Sequence, residues 1–129
     1  MRHVAWMGCM ALAAAAPPAL GQARPAEPVN MADAFDNTIV SHYPDGVWVK
    51  HFFEPDGRYV ATFSDGRRWT AHWSAQSDRV CLSQIRPRQL LPRFCTRMVA
   101  ADVGDSWRSR DPLGRTVRNE LVAGRPSSF

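Results

Sequence analysis

Apolar and polar residues alternate with a period of two through the middle of the chain. In Arg58–Phe63, Tyr59, Ala61 and Phe63 share one face while Arg58, Val60 and Thr62 share the other. In Arg68–Trp73, Trp69, Ala71 and Trp73 oppose Arg68, Thr70 and His72. One aromatic face and one polar face mark half-buried strands of an antiparallel sheet. Val47–Phe53 is apolar on both faces, which predicts a strand covered on both sides or turned toward a ligand. Three turn signals separate these runs: Tyr43-Pro-Asp-Gly46, Glu54-Pro-Asp-Gly57 and Ser64-Asp-Gly66. Asp-Gly supplies the positive backbone dihedral that a tight hairpin needs.

The pattern continues on either side. Asn30 is placed to cap a short helix, 31–35, with Phe35 packing down on the sheet, and 38–43 has strand propensity. Downstream, 79–85, 94–99, 106–110 and 115–122 read as strands, separated by a turn at 75–78, a basic loop at 87–92, a loop at 102–105 and the turn Asp111-Pro-Leu-Gly114. The fold class is all-β, a small antiparallel meander of about eight strands with a short N-terminal helix. Such a chain closes into an up-and-down barrel or packs as two sheets, and the run of sequential hairpins favours the barrel or a strongly curled meander.

Upstream of the helix the pattern changes character. Arg2 and His3 precede an apolar, Ala-rich run from Val4 to Leu20, followed by small residues. This is the form of a secretory signal peptide over 1–21 with cleavage near Gln22, and it is too short and Pro-interrupted for a membrane span. A lipid anchor at Cys9 is disfavoured, since Trp6-Met7-Gly8 lacks the usual leucine and most of the apolar run follows the cysteine. The expected organisation is then a disordered lead-in at 22–29, a single β-domain at 30–125 and a loose tail at 126–129. Cleavage removes one of three cysteines and leaves Cys81 and Cys95, an even pair that points to a disulfide in a periplasmic or secreted monomer.

The chain carries a net charge of +4, and Lys50 is its only lysine. Arginines gather at 86, 88, 93 and 97 and again at 108, 110, 115 and 118. A basic exported surface meets anionic lipid heads, polyanionic glycans or an acidic partner, and the compartment disfavours nucleic acid.

Catalytic chemistry is thin in this sequence. It has no Gly-x-Ser-x-Gly elbow, phosphate loop or His-Glu-x-x-His. His42, His51 and His72 lack ligand-like spacing, which argues against a metal or cofactor, and most aspartates sit in turns that they stabilise themselves. Binding, not catalysis, is the expectation. Trp48, Trp69, Trp73 and Trp107 are many for such a small domain and supply much of its core. Beyond core packing, Trp48, Trp69 and Trp73 are the candidates to line a ligand site, Trp48 first because its strand is apolar on both faces. Arg86, Arg88 and Arg93 would supply a polar rim.

Met31 to Arg125 also resembles a set of small exported proteins of alphaproteobacteria with no assigned activity. The resemblance rests on Asn37-Thr-Ile-Val-Ser41, Tyr43-Pro-Asp-Gly46, Gly57-x-Tyr59, the Trp73 strand, Cys81-Leu82, Cys95 and Val103-Gly-Asp-Ser-Trp107. It implies export, the disulfide and a β-fold, and carries no site across. The functional expectation is an exported, non-catalytic β-domain that binds an envelope ligand (lipid or glycan) or a protein partner. The alternative is an inhibitor of a secreted hydrolase, acting through the disulfide-stapled 86–93 loop.

Overall fold

The computed structural model describes residues 31–127. The expected signal peptide, Cys9, the 22–29 lead-in, the Asn30 cap and residues 128–129 lie outside them. Within that range are a helix α1 (Ala32–Phe35) and eight strands: β1 (Thr38–His42), β2 (Trp48–Phe53), β3 (Arg58–Phe63), β4 (Arg68–Gln76), β5 (Arg79–Arg86), β6 (Arg93–Arg97), β7 (Ser106–Arg110) and β8 (Thr116–Val122). They form one antiparallel sheet in the order β6-β5-β4-β3-β2-β1-β8-β7. The chain meanders from β1 to β6, and the last hairpin then returns to the free side of β1. The sheet curls until β6 and β7 face each other across an unbonded seam, so the molecule is a nearly closed up-and-down barrel.

The hairpins follow from the Asp-Gly turns. In the first, Gly46 N–H donates to Tyr43 O (3.0 Å), Tyr43 N–H donates to Val47 O (2.8 Å), and Asp45 Oδ1 accepts from Val47 N–H (3.0 Å). Gly46 has φ +87°, where only glycine is unstrained. The turns at Glu54–Gly57 and Phe63–Gly66 repeat this geometry, down to the aspartate that accepts from the residue after the glycine. This is the three-residue hairpin in which a type I turn is followed by a left-handed glycine. In the β7–β8 turn the aspartate comes first, and Asp111 Oδ1 accepts from both Leu113 and Arg115 N–H.

Odd-numbered residues of β1, β2 and β3 point inward, and the registers Ile39↔His51↔Ala61↔Trp69 carry one layer across four strands. The buried core gathers at one end. There α1 closes the barrel, with Met31 and Ala34 buried and the Phe35 ring 5.7 Å from Trp73. The helix is as short as the sequence predicts, and Met31 at its cap position makes no side-chain bond.

Two details differ from the sequence reading. The chain beyond β8 is tied down as far as Pro126, the first residue of the 126–129 tail expected to be loose. Thr38 Oγ1 donates to Gly124 O (2.7 Å), Lys50 Nζ donates to Pro126 O (2.9 Å), and Arg125 pairs with Glu54 while its guanidinium lies over the Phe52 ring. This strap covers the outer face of β1 and β2, which is why β2 is apolar on both sides. In β5, Gln84 adopts φ +52° where the register to β4 shifts, and this bulge returns Ile85 to the interior.

Cys81 and Cys95 face each other directly across β5 and β6 and are joined as a disulfide. A loop of 14 residues closed in this way is worth about 3 kcal/mol in the unfolded chain. The double variant Cys81→Ser/Cys95→Ser is therefore expected to keep its far-UV dichroism. Its urea midpoint should fall by the equivalent of about 3 kcal/mol, measured by equilibrium unfolding under non-reducing conditions.

Candidate functional site

The end of the barrel opposite α1 is open. Four connections meet there: the β1–β2, β3–β4 and β7–β8 turns and the β5–β6 loop, in keeping with alternate hairpins of a meander. Inside lies a cavity of about 550 Å³, which continues toward the β6/β7 seam. This volume falls in the range of about 300–1,000 Å³ that holds small molecules. Its wall is mostly apolar, with Val49, Phe63, Trp69, Leu82, Phe94 and Trp107 prominent. Space is left because several inward positions at mid-height are small, Ala61, Ser41, Ser109 and Val117 among them.

One polar track crosses this apolar wall. It takes one inward side chain from each of five adjacent strands: Tyr59 of β3, His51 of β2, Ser41 of β1, Asn119 of β8 and Ser109 of β7. Tyr59 Oη lies 2.5 Å from His51 Nδ1, and His51 Nε2 lies 2.8 Å from Ser41 Oγ. Ser41 Oγ donates to Asn119 Oδ1 (2.6 Å), and Asn119 Nδ2 donates to Ser109 Oγ (2.7 Å). The proton count orients the whole chain. Ser41 has a single hydroxyl proton and gives it to Asn119, so it accepts from His51 Nε2–H. Nδ1 is then an acceptor and takes the Tyr59 hydroxyl proton. At the far end Ser109 accepts from Asn119, and its own O–H has no protein acceptor among the described residues. Ser41 and Asn119 stand directly opposite each other across β1 and β8, and the other three links step diagonally between strands, so the track winds from the closed end toward the mouth.

The electrostatics agree with that direction. Burial pushes His51 down to about 4 and pushes the Tyr59 phenol well above its ordinary value, so imidazole and phenol are both neutral at physiological pH. At the mouth, Tyr43 is raised to about 12, first by burial and then by the Asp111 carboxylate, while the Arg115 guanidinium, 4.8 Å from the Tyr43 ring centroid, opposes the shift. Burial works against the Asp111 charge too, yet the backbone N–H and guanidinium of Arg115 outweigh it and hold the carboxyl below the usual range.

The sequence-derived candidates scatter over this architecture. Trp69 lines the cavity, its ring 5.0 Å from Phe63. Trp73 points inward but lies in the packed end, donating from Nε1 to Glu54 O (2.7 Å) and stacking with Phe35 and Phe53. Trp48 is the main correction. It is on the outer face of β2, under the Lys50 ammonium at 5.1 Å, because Val49, His51 and Phe53 take the inward positions. The second apolar face of that strand meets the C-terminal strap and not a ligand. Arg86, Arg88 and Arg93 are exposed around the β5–β6 loop, outside the cavity, whose rim is made instead by Gln89, Leu90 and Leu91 of the same loop together with Arg67, Leu113 and Arg115. Trp107 and the five residues of the polar track are the functional candidates that the sequence reading did not select.

His42 and His72 face outward, away from His51. Among the described residues, no group of three or more His, Cys, Asp or Glu side chains is placed to hold a metal ion, and no helix is long and apolar enough to cross a membrane. The chain matches no known protein family, no curated protein and no solved structure.

The position of His51 predicts a specific acid sensitivity. Its folded pKa of about 4 lies below the ordinary value of about 6.5, so on acidification the unfolded chain takes the proton first. The associated stability is complete above about pH 6.5 and is lost as pH falls toward 4, by about 3 kcal/mol in all. Urea midpoints followed across that window are expected to fall in the native protein. The His51→Gln variant should show a much flatter profile over the same window.

Proposed function

We propose that this barrel is an exported, non-catalytic binding protein for a small amphipathic molecule, held with its apolar body against the inner wall and a hydrogen-bond acceptor near Ser109. The observation that carries the reading is the polar track within an otherwise apolar cavity of about 550 Å³. It delivers an unmet donor, the Ser109 hydroxyl, close to the open end. A carbonyl, ester or carboxylate oxygen satisfies that donor. Around it the lining offers hydrocarbon and aromatic surface, which suits an acyl chain better than a glycan with many hydroxyls to satisfy. Within the envelope ligands that the sequence allows, a lipid-like molecule therefore fits best. The Cys81–Cys95 disulfide is consistent with life outside the reducing cytoplasm.

The pairing of Ser41 with His51 supports binding over catalysis. A nucleophilic serine hands its proton to the imidazole, whereas Ser41 is buried and directs its proton away from His51, to Asn119. The imidazole in turn spends its acceptor nitrogen on Tyr59.

Trp69 and Trp107 report on occupancy directly, since both line the cavity. Titrating residues 31–129, which contain the described helix and all eight described strands, with a long-chain fatty acid is expected to give a saturable change in tryptophan emission. Narrowing the cavity at its middle with Ala61→Leu should weaken the binding that this change reports. Ser109→Ala should weaken fatty-acid binding about fivefold, the worth of one hydrogen bond, while leaving the affinity for a long-chain alkane of similar length unaltered. An emission that stays flat with every acyl ligand, or the same saturable change in the Ala61→Leu protein, would rule the cavity out as the binding site.

A further inference from the structure

We propose that the open end of the barrel docks mouth-first on an anionic lipid bilayer. Two independent properties of that end meet in one place. The first is charge. Arg67 and Arg68 border the β3–β4 turn, Arg86, Arg88 and Arg93 the β5–β6 loop, and Arg110 and Arg115 the β7–β8 turn, all seven exposed. Against them stand three aspartates, Asp45, Asp65 and Asp111, and two of these are already paired within their own turns, Asp65 with Arg67 and Asp111 with Arg115. The closed end has the opposite balance. Among the described residues, Asp33 and Asp36 flank or belong to α1, Glu54 and Asp56 form the β2–β3 turn, and Asp78, Asp102 and Asp105 lie in the remaining connections, against only Arg58, Arg79, Arg97 and Arg125. The barrel is thus an electric dipole along its own axis, and a negative surface turns its mouth inward.

The second property is apolar and sits ahead of the charge. Leu90 at the tip of the β5–β6 loop is 97% exposed, Leu91 beside it 46%, and Leu113 at the tip of the β7–β8 turn 74%. All three also belong to the cavity rim. Two separate connections therefore present leucines at the same opening, with arginines set behind them. Basic side chains reach lipid phosphates while apolar tips enter the acyl boundary, the arrangement by which surface-bound segments hold to bilayers. An acidic protein cleft would use the arginines and leave the leucines in water. Docking in this pose would also turn the cavity opening toward the lipid.

The test uses residues 31–129, which include all of the described secondary structure and exclude the apolar 4–20 segment. Co-sedimentation with vesicles of phosphatidylcholine alone is compared with vesicles of equal parts phosphatidylcholine and phosphatidylglycerol. Binding is expected only to the anionic vesicles and weakens with added salt. Arg88→Glu/Arg93→Glu weakens it about tenfold or more, and Leu90→Ser/Leu113→Ser weakens it several-fold at unchanged net charge. The Ala61→Leu protein keeps full vesicle binding, so a failure of the cavity reading and a failure of the docking reading are distinguishable. Equal binding to both vesicle types overturns the proposal. So does a serine variant that binds as well as the native protein, or equally tight binding to soluble polyglutamate, since either would make the surface a site for acidic protein.

Discussion

Closing eight antiparallel strands fixes the interior of this protein before any side chain is chosen. A barrel of this size has room for one filling layer of inward residues, or for one small ligand if that layer is thinned. At the end beside α1 the layer is complete, with Phe53, Tyr59, Ala71 and Trp73 packed against Phe35 and Met31. Toward the mouth it is thinned by Ser41, Ala61, Val117 and Ser109, and about 550 Å³ stays open. A larger side chain at any of these positions would bury more apolar surface, so the empty space is a loss of stability that packing alone does not account for. The Cys81–Cys95 bond and the strap of Gly124–Pro126 lie elsewhere on the barrel wall and offset part of that loss.

The polar track obeys the same constraint in another form. A polar group inside an apolar barrel is tolerable only when each of its atoms finds a partner. From Tyr59 to Asn119 each side chain is bonded to the next, and the links run between 2.5 and 2.8 Å. Networks of this kind hold their members in fixed rotamers, and a low dielectric strengthens each link. The interior is thus rigid along one spiral and empty beside it, which is the combination a selective small-molecule site requires.

Much of the architecture was readable from residue order alone. Asp-Gly at three turns and Asp-x-x-Gly at a fourth set the hairpins, and alternation in 58–63 and 68–73 gave those strands their correct inward faces. Trp69 lies on the cavity wall, as its aromatic face requires. Trp48 does not: alternation in a strand apolar on both faces leaves open which is inside, and the strap that covers the outer face of β2 is contributed by residues more than seventy positions away. The polar track was invisible for a related reason. Ser41, His51, Tyr59, Ser109 and Asn119 stand on five strands at no regular spacing, and only the stagger of the closed barrel brings them into one line. A serine and an asparagine at inward positions, between Ile39 and Tyr43 and between Val117 and Leu121, were the signal available. Polar residues at intended core positions are strained unless they meet one another.

The direction of that track limits what the cavity accepts. A protonated His51 would have no acceptor for its Nδ1 proton unless the Tyr59 hydroxyl turned around, and burial opposes the charge in any case. The imidazole therefore stays neutral, and Ser41 is held as a relay whose single proton already points at Asn119. All the uncertainty in proton position is removed before a ligand arrives, and what reaches the mouth is a hydroxyl donor and no cation. A carboxylate placed there meets a hydroxyl donor inside the barrel; the cavity lining also includes Arg97 and Arg110 and, at the rim, Arg67 and Arg115. Both rim guanidiniums lie over aromatic rings and pair with aspartates of their own turns. The interior is then suited to orienting a head group by one hydrogen bond and holding the rest of the molecule by contact area.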